Sequence, residues 1–257
     1  MRTTATTFEV DDAGLAAVRA PRDDLVLERS AGPDRFACEV GPFEAYERTL
    51  EVEDLGDGRH RVTETTAWVL GIPIWGGLFR PLVKRQIARH EAPAPPEIAA
   101  TDDATSGDPT EPAEPAAGPW WSPPARLDLR SSQVLSRLCG LSLLAGYLGT
   151  VLTQTITYAA DEFGASKSAQ GGTLAAVRLG VLLSVAILAV ADRRGRQKLL
   201  LVCAVGGSLA GGLTALAPNL VVLGATQTFS RAFSTALALL IAVVAAEEMP
   251  SGGRAYA

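Results

Sequence analysis

Two arginines, Arg178 and Arg231, stand inside long apolar runs of this 257-residue chain. A charge at membrane depth costs at least ~2.5 kcal/mol on insertion scales, so it normally faces a cavity or a partner. No Asp or Glu occurs within those runs. A counter-charge must therefore come from a further helix, from the loop acids Asp161 and Glu162, or from an anionic substrate. Arg231 reads as a pathway or coupling residue, with a buried structural pair as the alternative; Arg178, nearer one end of its run, can also snorkel to the interface. Gln154 and Thr157, beside Thr153 and Tyr158, bring hydrogen-bonding groups into the first run, where they either line a polar channel or join helices. Gln227 lies one helical turn before Arg231, on the same face.

Other chemistries find no support. Cys38, Cys139 and Cys203 are widely spaced, and His60 and His90 are the only histidines, so no zinc spacing or disulfide framework is expected. No nucleophile and base pair, phosphate loop or haem motif occurs, and the glycines of the third apolar run follow no strand, so they form no dinucleotide fingerprint. The expectation is a non-enzyme without cofactors. With 23 Lys+Arg against 28 Asp+Glu the formal net charge is −5, which argues against nucleic acid as a partner.

The elements that must position these residues differ between the two halves. Residues 1–137 hold 15 basic and 23 acidic side chains, net −8, whereas residues 138–257 hold 8 and 5, net +3. The mean hydropathy of +0.18 thus averages two unlike parts. The second half contains four apolar runs, about 138–159, 171–191, 199–217 and 220–246. Each is near the length needed to cross about 30 Å of hydrocarbon. Asp192-Arg193-Arg194-Gly195-Arg196-Gln197-Lys198 joins the second run to the third and is basic, while the first connection is acidic. The positive-inside rule then gives a multi-pass plasma-membrane protein with a cytoplasmic N-terminus. Ala255-Tyr256-Ala257 supply no fifth span; missing C-terminal helices or another subunit are expected to complete any pathway.

Residues 1–92 read as a small cytoplasmic α+β domain, since the N-terminus has no apolar core for a signal peptide. Tyr46, Leu50 and Val52 alternate with polar residues before Gly56-Asp57-Gly58, and Val62, Trp68 and Leu70 do so after it. This predicts a hairpin with one buried face. Leu78, Phe79, Leu82, Val83 and Ile87 then form a helical stripe among Arg80, Lys84, Arg85 and Arg89. Such a basic amphipathic helix either covers a sheet or lies on an anionic membrane. Residues 93–125 hold nine of the sixteen prolines and read as an extended acidic linker. Trp120 and Trp121 at its end, beside Arg126, Arg130 and Arg137, suit an interface with the bilayer.

Ala189-Val190-Ala191-Asp192-Arg193-Arg194-Gly195-Arg196-Gln197-Lys198 resembles the cytoplasmic signature loop of the major facilitator superfamily. Glu247-Glu248-Met249-Pro250 with Arg254 is similar to that family's connection to its fifth helix. The resemblance covers about residues 135–257 and implies the first third of a twelve-helix transporter working by alternating access. It assigns gating to Asp192, Arg193, Gly195, Arg196, Glu248, Pro250 and Arg254. Leu188 replaces the family's first glycine, and Gln227 stands near the family's helix-four arginine, for which Arg231 is a possible substitute. The hairpin followed by a helix loosely resembles the START/polyketide-cyclase-like superfamily, which implies a curved sheet around an apolar ligand pocket. The expected fold class is an α-helical transmembrane bundle, a partial major-facilitator fold with four spans and the start of a fifth, preceded by the small α+β soluble domain. The expected function is secondary active transport of a small solute across the plasma membrane, driven by an ion gradient such as that of protons. The alternative is a lipid-binding or regulatory domain that the helices only anchor.

Overall fold

The computed structural model describes residues 1–88, 126–250 and 253, without the side chains of residues 190–194. The expected linker and Arg254 lie outside the described residues. The described chain falls into two units, one being Arg137–Glu248 and the other the residues on either side of it.

In the N-terminal unit, β1 (Arg2–Asp11) leads into α1 (Asp12–Val18), followed by β2 (Leu27–Gly32), β3 (Arg35–Val40), β4 (Phe43–Gly56), β5 (Arg59–Leu70) and α2 (Gly76–Ala88). The strands form one antiparallel sheet in the order β1-β5-β4-β3-β2. The predicted hairpin is β4 and β5. Asp57 and Gly58 have φ of 55° and 69°, the two consecutive positive values of a type I′ turn, whose twist matches that of the flanking strands. Alternation then places Tyr46, Leu50, Val62 and Trp68 in the core. Trp68 packs with Phe43, Tyr46 and the inner face of α2 through Val83 and Ile87, so the basic amphipathic helix covers the sheet. Leu15 and Val18 of α1 close a second cluster with Phe36, Leu50 and Val62. Asp11 caps α1 by accepting from the Gly14 N–H at 2.7 Å, which satisfies one of the helix's unpaired first-turn donors.

The other unit is helical, with α3 (Leu129–Glu162) entering it at Arg137 and α4 (Lys167–Arg178), α5 (Gly180–Arg194), α6 (Arg196–Leu213) and α7 (Leu220–Glu248) following. Four stretches are long and apolar enough to cross a membrane: Leu129–Glu162, Lys167–Ala189, Arg196–Leu216 and Leu220–Glu248. Two glycines of α6 permit close helix approach. A Cβ on Gly206 would lie 3.0 Å from the Phe233 ring, and on Gly207 3.0 Å from Leu148, but on Gly212 it would meet nothing within 4 Å.

The second stretch is not one regular helix. Leu179 donates to Ala176 O, and its own carbonyl accepts from Leu182 N. These i to i−3 bonds tighten the helix locally into a 3₁₀ turn. The adjoining Gly180 explains why the tightening occurs here, since a Cβ at that position would lie 2.5 Å from Thr228 O; α5 and α7 meet backbone to backbone. Accordingly, Gly180→Val should lower the stability of the helical unit by about 1–3 kcal/mol through overpacking. Gly212→Ala should cost nothing, and thermal unfolding of the two variants in detergent separates the effects.

Candidate functional site

Arg231 sits on α7 where that helix meets α3 and the start of α5. Its Nη1 donates to the carbonyl oxygen of Gly149 at 2.6 Å. A Cβ on Gly149 would stand 3.3 Å from that same nitrogen, and one on Gly180 would stand 3.3 Å from Arg231 Cβ. Two glycines from different helices therefore make room for one guanidinium. Among the described residues no carboxylate pairs with it; its partner is a neutral backbone acceptor. Neither glycine was singled out by sequence reasoning, because a glycine in an apolar run signals only close packing until its neighbour is known.

The other residues expected along a pathway are not gathered here. Gln227 is buried, but its amide donates to Thr214 Oγ1 at 3.0 Å, in the 3₁₀ turn Thr214–Leu216 ahead of α7. Gln154 and Arg178 are exposed on the outside of the helical unit. Thr157 accepts from Gln170 Nε2 at 3.1 Å, which links α3 to α4.

The charged connection between the second and third apolar runs is shorter than expected. α5 continues through Arg194, α6 begins at Arg196, and only Gly195 breaks the helix. Its φ of 91° and ψ of 132° lie where only glycine sits without strain. The side chains of Asp192 and Arg193 lie outside the described residues. Arg196 pairs with Glu247 near the end of α7, and a cleft of about 390 Å³ lies beside them, lined by Lys198, Val244 and Glu248 among others. Glu248 is the last residue of α7, with Pro250 just beyond it.

A second charged cluster is buried in the N-terminal unit. Arg48 Nη2 lies 2.6 Å from Glu28 Oε2 with both side chains fully withdrawn from water, and the guanidinium also donates to Val18 O and Ala20 O. The Tyr46 hydroxyl donates to Glu28 at 2.6 Å, Arg22 pairs with Glu64, and the Phe36 ring lies 4.0 Å from the Arg48 guanidinium carbon. Burial, then the neighbouring Glu28, push the Tyr46 hydroxyl far above its ordinary pKa. Burial opposes the charge on Arg22, but Glu64, Tyr46 and Glu28 outweigh it and hold that guanidinium above its usual range. Two cations and two carboxylates balance. The signal lay in the hairpin itself, where Arg48, Glu64 and Thr66 occupy the same inward-facing register as Tyr46 and Trp68.

A groove of about 740 Å³ is lined by Glu39, Glu44, Glu47 and Asp128 together with Met1, Val40, Phe43 and Leu129, a lining that is acidic and apolar in equal measure. Asp128 caps α3, and its hydrogen bonds with Ser131 hold its carboxyl below the usual range.

None of the family models, curated proteins or solved structures compared with this chain matches it.

Removing one partner of the buried cluster leaves an uncompensated charge. Glu28→Ala should destabilise the N-terminal unit by about 3–5 kcal/mol, whereas replacing Glu28 and Arg48 together by Leu and Met should cost much less. Denaturant titration followed by tryptophan fluorescence reads both values and their coupling.

Proposed function

We propose that the helical unit belongs to a secondary transporter of the major facilitator type, which moves a small solute across the plasma membrane by alternating access coupled to protons. The observation that carries this reading is the pairing of Arg196 with Glu247. It joins the two segments whose sequences resemble the family's cytoplasmic loops, although 51 positions separate them in the chain. The pair is solvent-accessible, with side-chain exposures of 36% and 53%. An ion pair of that kind contributes about 0–1 kcal/mol, weak enough to break and re-form in every cycle. Gly195 supplies the bend between the helices on either side. Asp192, Arg193, Glu248, Pro250 and Arg254 complete the gating set in this reading.

Arg231 supports the same proposal from inside the membrane. A guanidinium bonded there to a neutral carbonyl keeps an unneutralised charge, which suits an anionic group on the solute or a carboxylate that changes protonation during the cycle. Gln227, bonded to Thr214 Oγ1, and the exposed Gln154 and Arg178 are assigned no contact with that group.

The test is uptake by vesicles holding the full-length natural product, screened over small anionic and zwitterionic solutes with a proton gradient imposed. One solute should show saturable uptake driven by the gradient. Arg231→Gln should reduce that uptake at least tenfold, and Asp192→Asn or Arg196→Gln should change the rate several-fold at normal expression. Solute movement no greater than in protein-free vesicles, across the whole panel, would overturn the reading and leave the helices as an anchor.

A further inference from the structure

The two sides of α3 differ in chemistry. Leu138, Ala145, Leu148, Leu152 and Ile156 form its buried stripe, with Leu152 and Ile156 in a cluster with Val177, Leu220 and Leu223. On the opposite side Tyr147, Thr150, Gln154, Thr157 and Asp161 are all exposed, and their alternating spacing of three and four residues keeps them on one face. The exposed stripe of α6, by contrast, is Leu201, Val205 and Leu209, which is what a hydrocarbon surrounding requires.

The helical unit does not satisfy all the polar groups of the α3 stripe. Thr150 donates to Gly146 O at 3.0 Å within its own helix, and Thr157 accepts from Gln170 at 3.1 Å. Among the described residues no hydrogen bond engages the Gln154 amide, a group with two donors and an acceptor. In hydrocarbon such a group loses its hydration without compensation. The stripe also has an aqueous end. It starts at Asp161, beside Glu162 where α3 closes, and runs back to Tyr147 before giving way to the exposed Leu143. Fourteen residues separate Asp161 from Tyr147, about 21 Å of helix, so the polar face crosses more than half of a hydrocarbon layer about 30 Å thick. Water reaches such a face directly from its outer end. Where helices of this unit pack closely they meet through glycine, as Gly206 does against Phe233 and Gly207 against Leu148. Tyr147 and Tyr158, 63% and 77% exposed, project too far for that approach.

We propose that this face of α3 forms one wall of a water-filled path into the bilayer, entered from the Asp161 end, where Gln154 offers hydrogen bonds to a polar solute. The inference rests on the reading of the four apolar stretches as membrane spans. It concerns a surface other than the Arg231 contact, since Gly149 stands two residues from Tyr147 and therefore on the other side of the helix.

Thiol accessibility tests the wall without any solute. Thr150→Cys and Gln154→Cys are introduced singly into the full-length natural product in phosphatidylcholine liposomes. Leu182→Cys and Val185→Cys, at exposed apolar positions of α5, serve as lipid-facing references. A charged, water-soluble methanethiosulfonate is admitted to both sides, and peptide mass spectrometry reads each site apart from Cys38, Cys139 and Cys203. The reagent attacks the thiolate, which an apolar surrounding suppresses, so Thr150→Cys and Gln154→Cys should react roughly tenfold faster or more than the references. All four positions are exposed, and the two test positions read the face independently. Reaction as slow as the references at both test positions, or at Thr150→Cys alone, would overturn the inference, because lipid, a further helix or a second copy would then cover the stripe. Gradient-driven uptake together with slow labelling removes this wall and leaves transport standing, whereas rapid labelling without uptake of any solute supports the wall and removes the transport reading.

Discussion

A guanidinium withdrawn from water takes its charge and five donors with it, and the chain around it must supply acceptors or the fold does not form. In the N-terminal unit this constraint falls on Arg48. Its side chain is 1% exposed, and the sheet, α1 and the segment before β2 are arranged so that Glu28, Val18 O and Ala20 O converge on it. Those acceptors come from both ends of the connection between α1 and β2. The connection is thereby held by one side chain of β4, which explains how a stretch without regular structure keeps a fixed course. Two hydrophobic clusters lie on either side of this centre; the ionic group sits where a continuous apolar core would otherwise run.

The same constraint is met differently among the apolar helices. Arg231 is half-buried and has no carboxylate partner among the described residues; what it receives is a backbone carbonyl of α3. A helical carbonyl is normally committed to its own i+4 donor but has a second lone pair to offer. Access to it requires that no side chain stand in the way, which is the role of Gly149. Gly180 performs the corresponding task on the α5 side, where the approach to Thr228 O is closest. The small residues of these helices are thus placed by one cation as well as by general close packing.

How much of this was legible depended on contrast in the sequence. The hairpin from Phe43 to Leu70 was readable because apolar and polar residues alternate on either side of a Gly-Asp-Gly turn. The edge strand β1 was not, because two of its four inward positions, Thr4, Thr6, Phe8 and Val10, are hydroxyl-bearing and all are only half-buried, so the period of two carries little hydropathy signal. β2 was hidden for a related reason, its one fully buried side chain being Glu28. Polar residues at core positions are the point at which pattern reading fails, and here they mark the centre of the unit. The four apolar runs were legible from length and composition. The 3₁₀ turn at Leu179 was not, since nothing local to Arg178-Leu179-Gly180 reveals that α7 lies against it.

Magnitude separates the roles of the two ion-pair sites. Breaking the Arg48 and Glu28 pair by removing one partner costs about 3–5 kcal/mol, a large share of the 5–15 kcal/mol by which a domain is typically stable. That cluster can only be permanent. The Arg196 and Glu247 pair is exposed and worth about 0–1 kcal/mol, comparable to thermal energy, so ordinary helix motions open it freely. The contact at Gly180, where overpacking costs about 1–3 kcal/mol, lies between these limits.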